Sequence, residues 1–175
     1  TFTLVSGVGV YGGFDGSETR RFERRPNKHG TFLDGDIDGD GFRADNAYHV
    51  VSAADNSLLS GFCIRNGYAD GTMPYDSGAG VVVDSVDGFT LQRCVFSDNG
   101  ALGYGGAFFS RYSKSYVIDC EFENNDAYSG GACYDDMQSS TLFVGTRFLN
   151  NKGNTSSGSG GAYAGNVSDG KVVFQ

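Results

Sequence analysis

Five aspartates fall within residues 34–45, DGDIDGDGFRAD. Asp34, Asp36, Asp38 and Asp40 recur at every second position with glycines among them, and Asp45 follows. Closely spaced carboxylates in a glycine-rich bend suit a hard, oxygen-seeking cation, calcium above all. The frame from Asp36 reads D-x-D-G-D-G, the opening of an EF-hand loop. Its twelfth position is Ala47, where the bidentate acid belongs, and no amphipathic helix pattern flanks it, both of which argue against an EF-hand proper. A looser calcium site in a bend is the functional expectation, and an acidic turn ringed by water and sodium is the alternative. Alternation along a strand would set the four carboxylates on one face.

The second candidate lies just before it. Residues 20–29, RRFERRPNKH, place Arg20, Arg21, Arg24 and Arg25 in a stretch that breaks the apolar pattern around it. Such a stretch is either a solvated loop whose arginines pair with nearby aspartates, or a binding patch for an acidic partner such as an anionic polysaccharide. Binding residues concentrate on loops held by a rigid scaffold. Elsewhere reactive side chains are sparse. His29 and His49 are the only histidines and neither sits near a nucleophile motif; G-x-S-x-G, Walker and H-E-x-x-H patterns are absent. The four cysteines include no C-x-x-C, which removes the usual zinc and thiol-redox readings. Arg111, Tyr112, Lys114, Asp135 and Asp136 are expected on an exposed face, as a sugar-binding strip or an ordinary wet surface.

What must position these groups is a repeat. FSDN (residues 96–99), FENN (122–125) and FLNN (148–151) share the form F-x-x-N at a spacing of 26 residues, and GGAF (105–108), GGAC (130–133) and GGAY (160–163) follow them, with a looser GAGV at 78–81. A fixed period in this range marks a repeat architecture. Each unit holds short apolar runs, such as SYVID and STLFV, cut by Gly, Asn, Asp or Ser, and lacks helical spacing. The period therefore reads as one coil of a parallel β-solenoid, with three strands and three bends, stacked at the ~4.8 Å strand spacing. Equivalent residues then form columns: Phe96, Phe122 and Phe148; Leu91, Val117 and Phe143; Cys94, Cys120 and Thr146; and, at a bend, Asn99, Asn125 and Asn151. Asparagine tolerates left-handed backbone, and its amides can bond to those above and below. Parallel Cβ vectors in one column are poorly placed for a disulfide, so Cys94 and Cys120 are expected as inward thiols. Removing a phenylalanine of the stack is expected to cost on the order of 3–5 kcal/mol, and removing an asparagine about 1–2 kcal/mol.

The paired GGA and F-x-x-N motifs resemble the repeats of the polymorphic outer-membrane proteins of chlamydiae, and more broadly the right-handed parallel β-helix repeats of secreted bacterial surface proteins. By motif the resemblance covers about half the chain. The leading VYGGFDGSETR (residues 10–20) and LDGDIDGD (33–40) look like the opening segment of such proteins. After GGA the chlamydial pattern favours Ile, Leu or Val, whereas here stand Phe108, Cys133 and Tyr163. The resemblance implies a bacterial, extracellular or cell-surface module: an adhesin-like passenger or structural rod that binds a glycan or a surface protein of a host or neighbouring cell. It also implies a rival, because parallel β-helices host polysaccharide lyases and hydrolases.

Bulk properties agree with a solenoid. Glycine, at 28 of 175 residues, is about twice its usual share, with only 2 prolines, as many bends around a narrow core require. A net charge of −8 argues against nucleic acid and against an anionic membrane surface. No run of 18 apolar residues spans a bilayer. The fold expected is all-β: one right-handed parallel β-helix of six or seven coils, about 26 residues each, over residues 1–175, with irregular leading coils in 1–45 and regular ones in 46–175. Handedness follows the general rule for parallel crossovers. The chain opens mid-pattern at TFTLVSG and stops in an apparent strand, KVVFQ. It therefore reads as a segment of a longer protein, whose open ends invite end-to-end self-association or a filament.

If Asp34, Asp36, Asp38 and Asp40 hold calcium, millimolar calcium raises the melting temperature by mass action. The double variant Asp36→Asn, Asp38→Asn then loses that shift. Identical melting curves of the unaltered protein in calcium and in chelator would remove the site.

Overall fold

A computed structural model describes residues 1–26, 30–154, 160–166 and 173–174. The chain winds as a parallel β-solenoid. The first coil contains β1 (Phe2–Thr3), β2 (Gly9–Tyr11) and β3 (Phe32–Asp34). The second contains β4 (Val51–Ser52), β5 (Leu58–Ser60), β6 (Cys63–Arg65) and β7 (Tyr68–Ala69). The third contains β8 (Val81–Asp84), β9 (Asp87–Gln92), β10 (Val95–Ser97) and β11 (Gly100–Tyr104). The fourth contains β12 (Phe108–Arg111), β13 (Lys114–Ile118), β14 (Glu121–Glu123) and β15 (Asp126–Ser129). The fifth contains β16 (Cys133–Asp136), β17 (Ser140–Val144), β18 (Arg147–Leu149) and β19 (Lys152–Gly153). A sixth begins with β20 (Tyr163–Asn166) and β21 (Val173–Phe174). These are five coils and the start of a sixth, not six or seven, because residues 12–26, 30–31, 35–50 and 70–80 leave the strand path.

Each full coil has four strands and four corners, not three. The strands stack into four parallel sheets: β1-β4-β8-β12-β16-β20, β2-β5-β9-β13-β17-β21, β3-β6-β10-β14-β18 and β7-β11-β15-β19. Each corner is turned by residues with left-handed backbone, recurring in columns: Ser85 and Tyr112; Gly61, Arg93, Asp119 and Gly145; Asn66, Asp98, Asn124 and Asn150; Gly78, Gly105 and Gly130. In F-x-x-N the left-handed residue is therefore the third, not the asparagine at the end. In the GGA motif the two glycines differ in purpose. Gly105 has φ +57°, and at Gly106 a Cβ would lie 2.4 Å from the backbone oxygens of Asp126 and Gly131 in the next coil.

The interior repeats the registers read from the sequence. Phe96, Phe122 and Phe148 pair in register, their rings stacked at 4.7 and 5.2 Å between centroids. Leu91, Val117 and Phe143 form the neighbouring column, continued by Phe174, whose ring stacks on Phe143 at 5.1 Å. Phe174 and Val173 place part of KVVFQ on the last coil; its other three residues lie outside those described. Cys94 and Cys120 are buried free thiols, and Thr146 bonds the carbonyl of Val117 below it.

The asparagines make a ladder along the axis. Asn99 donates from its side-chain amide to Ile64 O at 3.1 Å and to Asn125 Oδ1 at 3.0 Å. Asn125 repeats this one coil on, to Phe96 O at 3.0 Å and to Asn151 Oδ1 at 2.9 Å. The same oxygens accept backbone amides: Asn125 Oδ1 takes Asn99 N at 3.1 Å, and Asn151 Oδ1 takes Asn125 N at 3.0 Å. Asn99 and Asn125 are wholly buried.

That burial changes the expected cost of losing the ladder. Asn125→Ala strands the Asn99 backbone amide and takes one hydrogen bond from each neighbouring carboxamide, at about 1–3 kcal/mol for each unsatisfied buried group. The total is expected at about 3 kcal/mol or more, close to the ~3–5 kcal/mol for Phe122→Ala. Chemical denaturation of the two single variants measures both. A cost below ~1 kcal/mol for Asn125→Ala would show that the ladder does not tie the coils together.

Candidate anion-binding cleft

The arginine stretch belongs to the segment between β2 and β3, which folds back over the corner between the sheets of β2 and β3. Acids shape its turns. Glu18 accepts the amides of Asp15 and Gly16 at 3.0 Å each, and Glu23 accepts those of Thr19 and Arg20 at 2.8 and 3.2 Å. A 3-10 turn over Arg21–Glu23 follows. It leaves Arg21 and Arg24 facing the solenoid.

Arg24 is the anchor. Its guanidinium donates to Gly12 O at 3.0 Å, Ser60 O at 3.2 Å and Ser60 Oγ at 2.7 Å. A side chain at Gly61 would sit 2.5 Å from that guanidinium, so the glycine at this corner admits it. Arg21 donates to the Tyr11 hydroxyl at 2.9 Å. Both guanidinium carbons lie against the Tyr11 ring, at 4.6 Å for Arg21 and 5.2 Å for Arg24, a cation–π arrangement. Arg93 joins them from the third coil. Tyr11, Arg21, Phe22, Arg24, Gln92 and Arg93 line a cleft of about 250 Å³. Burial lowers the pKa of Arg24, and the charge of Arg93 lowers it further. Among the described residues, none of Arg21, Arg24 and Arg93 forms a salt bridge with a carboxylate; the ion pairs are Arg43–Asp126, Arg65–Asp34, Arg111–Asp84 and Arg147–Glu121.

Arg20 and Arg25 diverge from this group. Arg20 lies over the Phe22 ring at 5.8 Å. Arg25 faces Asp15, Glu18 and Glu23 across a shallow depression. Sequence reasoning does not single out Arg93, although its corner column offers a signal. The equivalent positions hold Gly61, Asp119 and Gly145, residue types that suit left-handed backbone, and an arginine there is out of type. The cleft runs into a second concavity of about 410 Å³ that shares Arg93 and is lined further along the axis by Asp119, Glu121 and Arg147.

The acidic segment is only partly assembled as the spacing predicts. Asp36, Asp38 and Asp40 bring ligand oxygens within 4.8 Å of one another and could together hold a cation. They do so from a loop of turns, not from a strand face, since β3 ends at Asp34. Asp36 accepts the amides of Gly39 at 2.8 Å and Gly41 at 3.1 Å, and Asp40 accepts that of Phe42 at 2.7 Å. Asp34 is drawn elsewhere, to Arg65 at 2.7 Å and Asn66 at 2.9 Å. Partial burial opposes its charge, but these hydrogen bonds outweigh it and hold Asp34 below the usual carboxylate range. Just beyond the loop, Arg43 lies over the Tyr68 ring at 5.0 Å and pairs with Asp126 at 2.8 Å, tying the leading segment to the fourth coil.

The remaining candidates separate. His49 is buried, its Nδ1 3.1 Å from Gly78 O and its ring against Tyr75, and burial lowers its pKa. His29 lies outside the described residues. Of the expected surface strip, Arg111 pairs with Asp84, while Asp135 points inward and is wholly buried. No helix among the described residues is long and apolar enough to cross a membrane.

A family model described as a right handed beta helix region matches residues 40–173. No curated protein and no solved structure matches the chain.

Proposed function

Starting from the chain's membership of the right-handed β-helix family, we propose that it is a non-enzymatic extracellular or cell-surface module of bacterial type, an adhesin-like passenger or rod whose leading coil presents the arginine cleft to an anionic glycan. One observation carries this reading. Three guanidinium groups with no carboxylate partner among the described residues converge on one cleft, in a chain of net charge −8. Leaving such groups together is costly without an anion, because each raises the others' electrostatic energy. Guanidinium forks match carboxylate and sulfate oxygens two at a time, and the exposed Phe22 ring stands beside them. The family itself is compatible with many activities, so the site and not the fold supports the reading.

A second reading, a carbohydrate-active enzyme, draws on the adjoining concavity, where Asp119 and Glu121 stand with Arg93 and Arg147. Carboxylates beside arginines on one concave face are the raw material of acid–base chemistry on a sugar chain.

Calorimetric titration with a polyuronate and with a neutral glucan of equal length tests the first reading. The polyuronate is expected to bind in a salt-sensitive way. Arg93→Ala and Arg21→Ala each lose one charge-assisted contact, worth ~1.5–3 kcal/mol or about ten-fold or more in affinity, while Arg25→Ala leaves binding unchanged. Equal binding of the neutral glucan, or indifference to Arg93→Ala, overturns it. Shortening of the bound chain during incubation would favour the enzyme.

A further inference from the structure

The carboxyl of Asp135 stands inside the solenoid, where β16 meets β17. Its Oδ1 accepts the Thr141 hydroxyl at 2.8 Å, and its Oδ2 faces the Tyr163 hydroxyl of β20 at 3.4 Å. Ser110 of β12 lies directly in register with Asp135, and Ser115 of β13 with Thr141. Both serines are buried, and neither hydroxyl makes a well-formed hydrogen bond. Ser110 is still close enough to favour the charged carboxylate. Ser110, Ser115, Asp135 and Thr141 thus form a two-by-two polar block in the interior, apart from the asparagine ladder. Val83 and Phe89 of the third coil occupy the positions on one side of it. On the other side, in register with Asp135, is Gly165, which has no side chain.

The block contains no counter-charge. The groups packed on Asp135 are Ser110 from β12, Thr141 from β17, Tyr163 from β20 and Cys133 on its own strand; among the described residues no lysine, arginine or histidine faces it. Burial pushes the Cys133 thiol up, and burial followed by the Asp135 charge pushes the Tyr163 hydroxyl up. Asp135 is therefore the one group here that changes charge between pH 4 and 8. A buried carboxylate without a cation is costly and tends to take a proton or admit water. β20 closes the block on this side with the Tyr163 hydroxyl, which lies beside Gly165, and β20 is itself only partly buried.

We propose that this block is a proton-operated clamp on the coil that begins with β20. With Asp135 neutral, its hydroxyl donates to one of the unpaired serines and β20 stays docked on β16. With Asp135 ionised, β20 opens first and lets water reach the charge. Burial raises Asp135 from 3.8 to about 6, against hydrogen bonds from Thr141, Tyr163 and Ser110 that pull it down. The docked form therefore binds the proton more tightly than an opened, hydrated one. Docking is strongest at low pH, weakens as pH rises through about 4 to 6, and levels off above.

Hydrogen exchange of the whole chain tests the clamp at the amides that bridge the strands, Cys133 to Ala162 O and Met137 to Asn166 O. After correction for intrinsic rates, they are expected to exchange about ten-fold faster at pH 7.5 than at pH 5, with the amides joining β8 to β12 unchanged. In Asp135→Asn the difference disappears. Equal protection at both pH values, or a difference that survives in Asp135→Asn, overturns the proposal. A carboxyl carbon titration of the unaltered protein is independent of how the variant folds: a midpoint near 6 for Asp135 supports the clamp, and one near 4 overturns it.

Discussion

The molecule depends on parallel register. Once β10, β14 and β18 exchange backbone hydrogen bonds in step, every residue meets its counterpart one coil away, at the ~4.8 Å strand spacing. A side chain is then acceptable only if it tolerates its own kind or finds a complement at that distance. Phenylalanine stacks, asparagine bonds to asparagine, and left-handed corners repeat. Charges have to alternate, and they do: Arg111 stands between Asp84 and Asp136 in register, and Glu121 beside Arg147.

Where columns are uniform, the fold was legible from spacing alone. The phenylalanine and asparagine columns follow from a 26-residue repeat because like sits on like. The corners were harder. Three bends and four bends divide 26 residues about equally well, and only backbone torsions show that Asp98, Asn124 and Asn150 turn the chain while the following asparagines look inward. The coil count was overestimated because three inserted segments have no repeat to betray them.

The candidate site was half legible for a related reason. A run such as RRFERR advertises charge but not direction. Arg21 and Arg24 turn in because Tyr11 and Ser60 receive them; Arg25 lines a separate depression with the acids of its own loop. Arg93 and Arg43 act on residues far away in sequence, Arg43 on Asp126 across 83 positions, and no local pattern encodes that. Asp135 was misplaced for a different cause. In CYDD one of two adjacent aspartates must face inward on a strand, and composition favours neither. Asp34 left the acidic group because Arg65, in register beside it on β6, offers a nearer opposite charge.

The asparagine ladder and the backbone bonds between coils all run along the axis, while the covalent chain runs across it. Tension applied to one end of the rod therefore loads a single coil at a time, not the whole stack at once. Each coil that peels away releases 26 residues, roughly 90 Å of extended chain, while the rod shortens by one rung of about 5 Å. A rod built this way yields gradually under load, absorbing work coil by coil while the remainder keeps its shape.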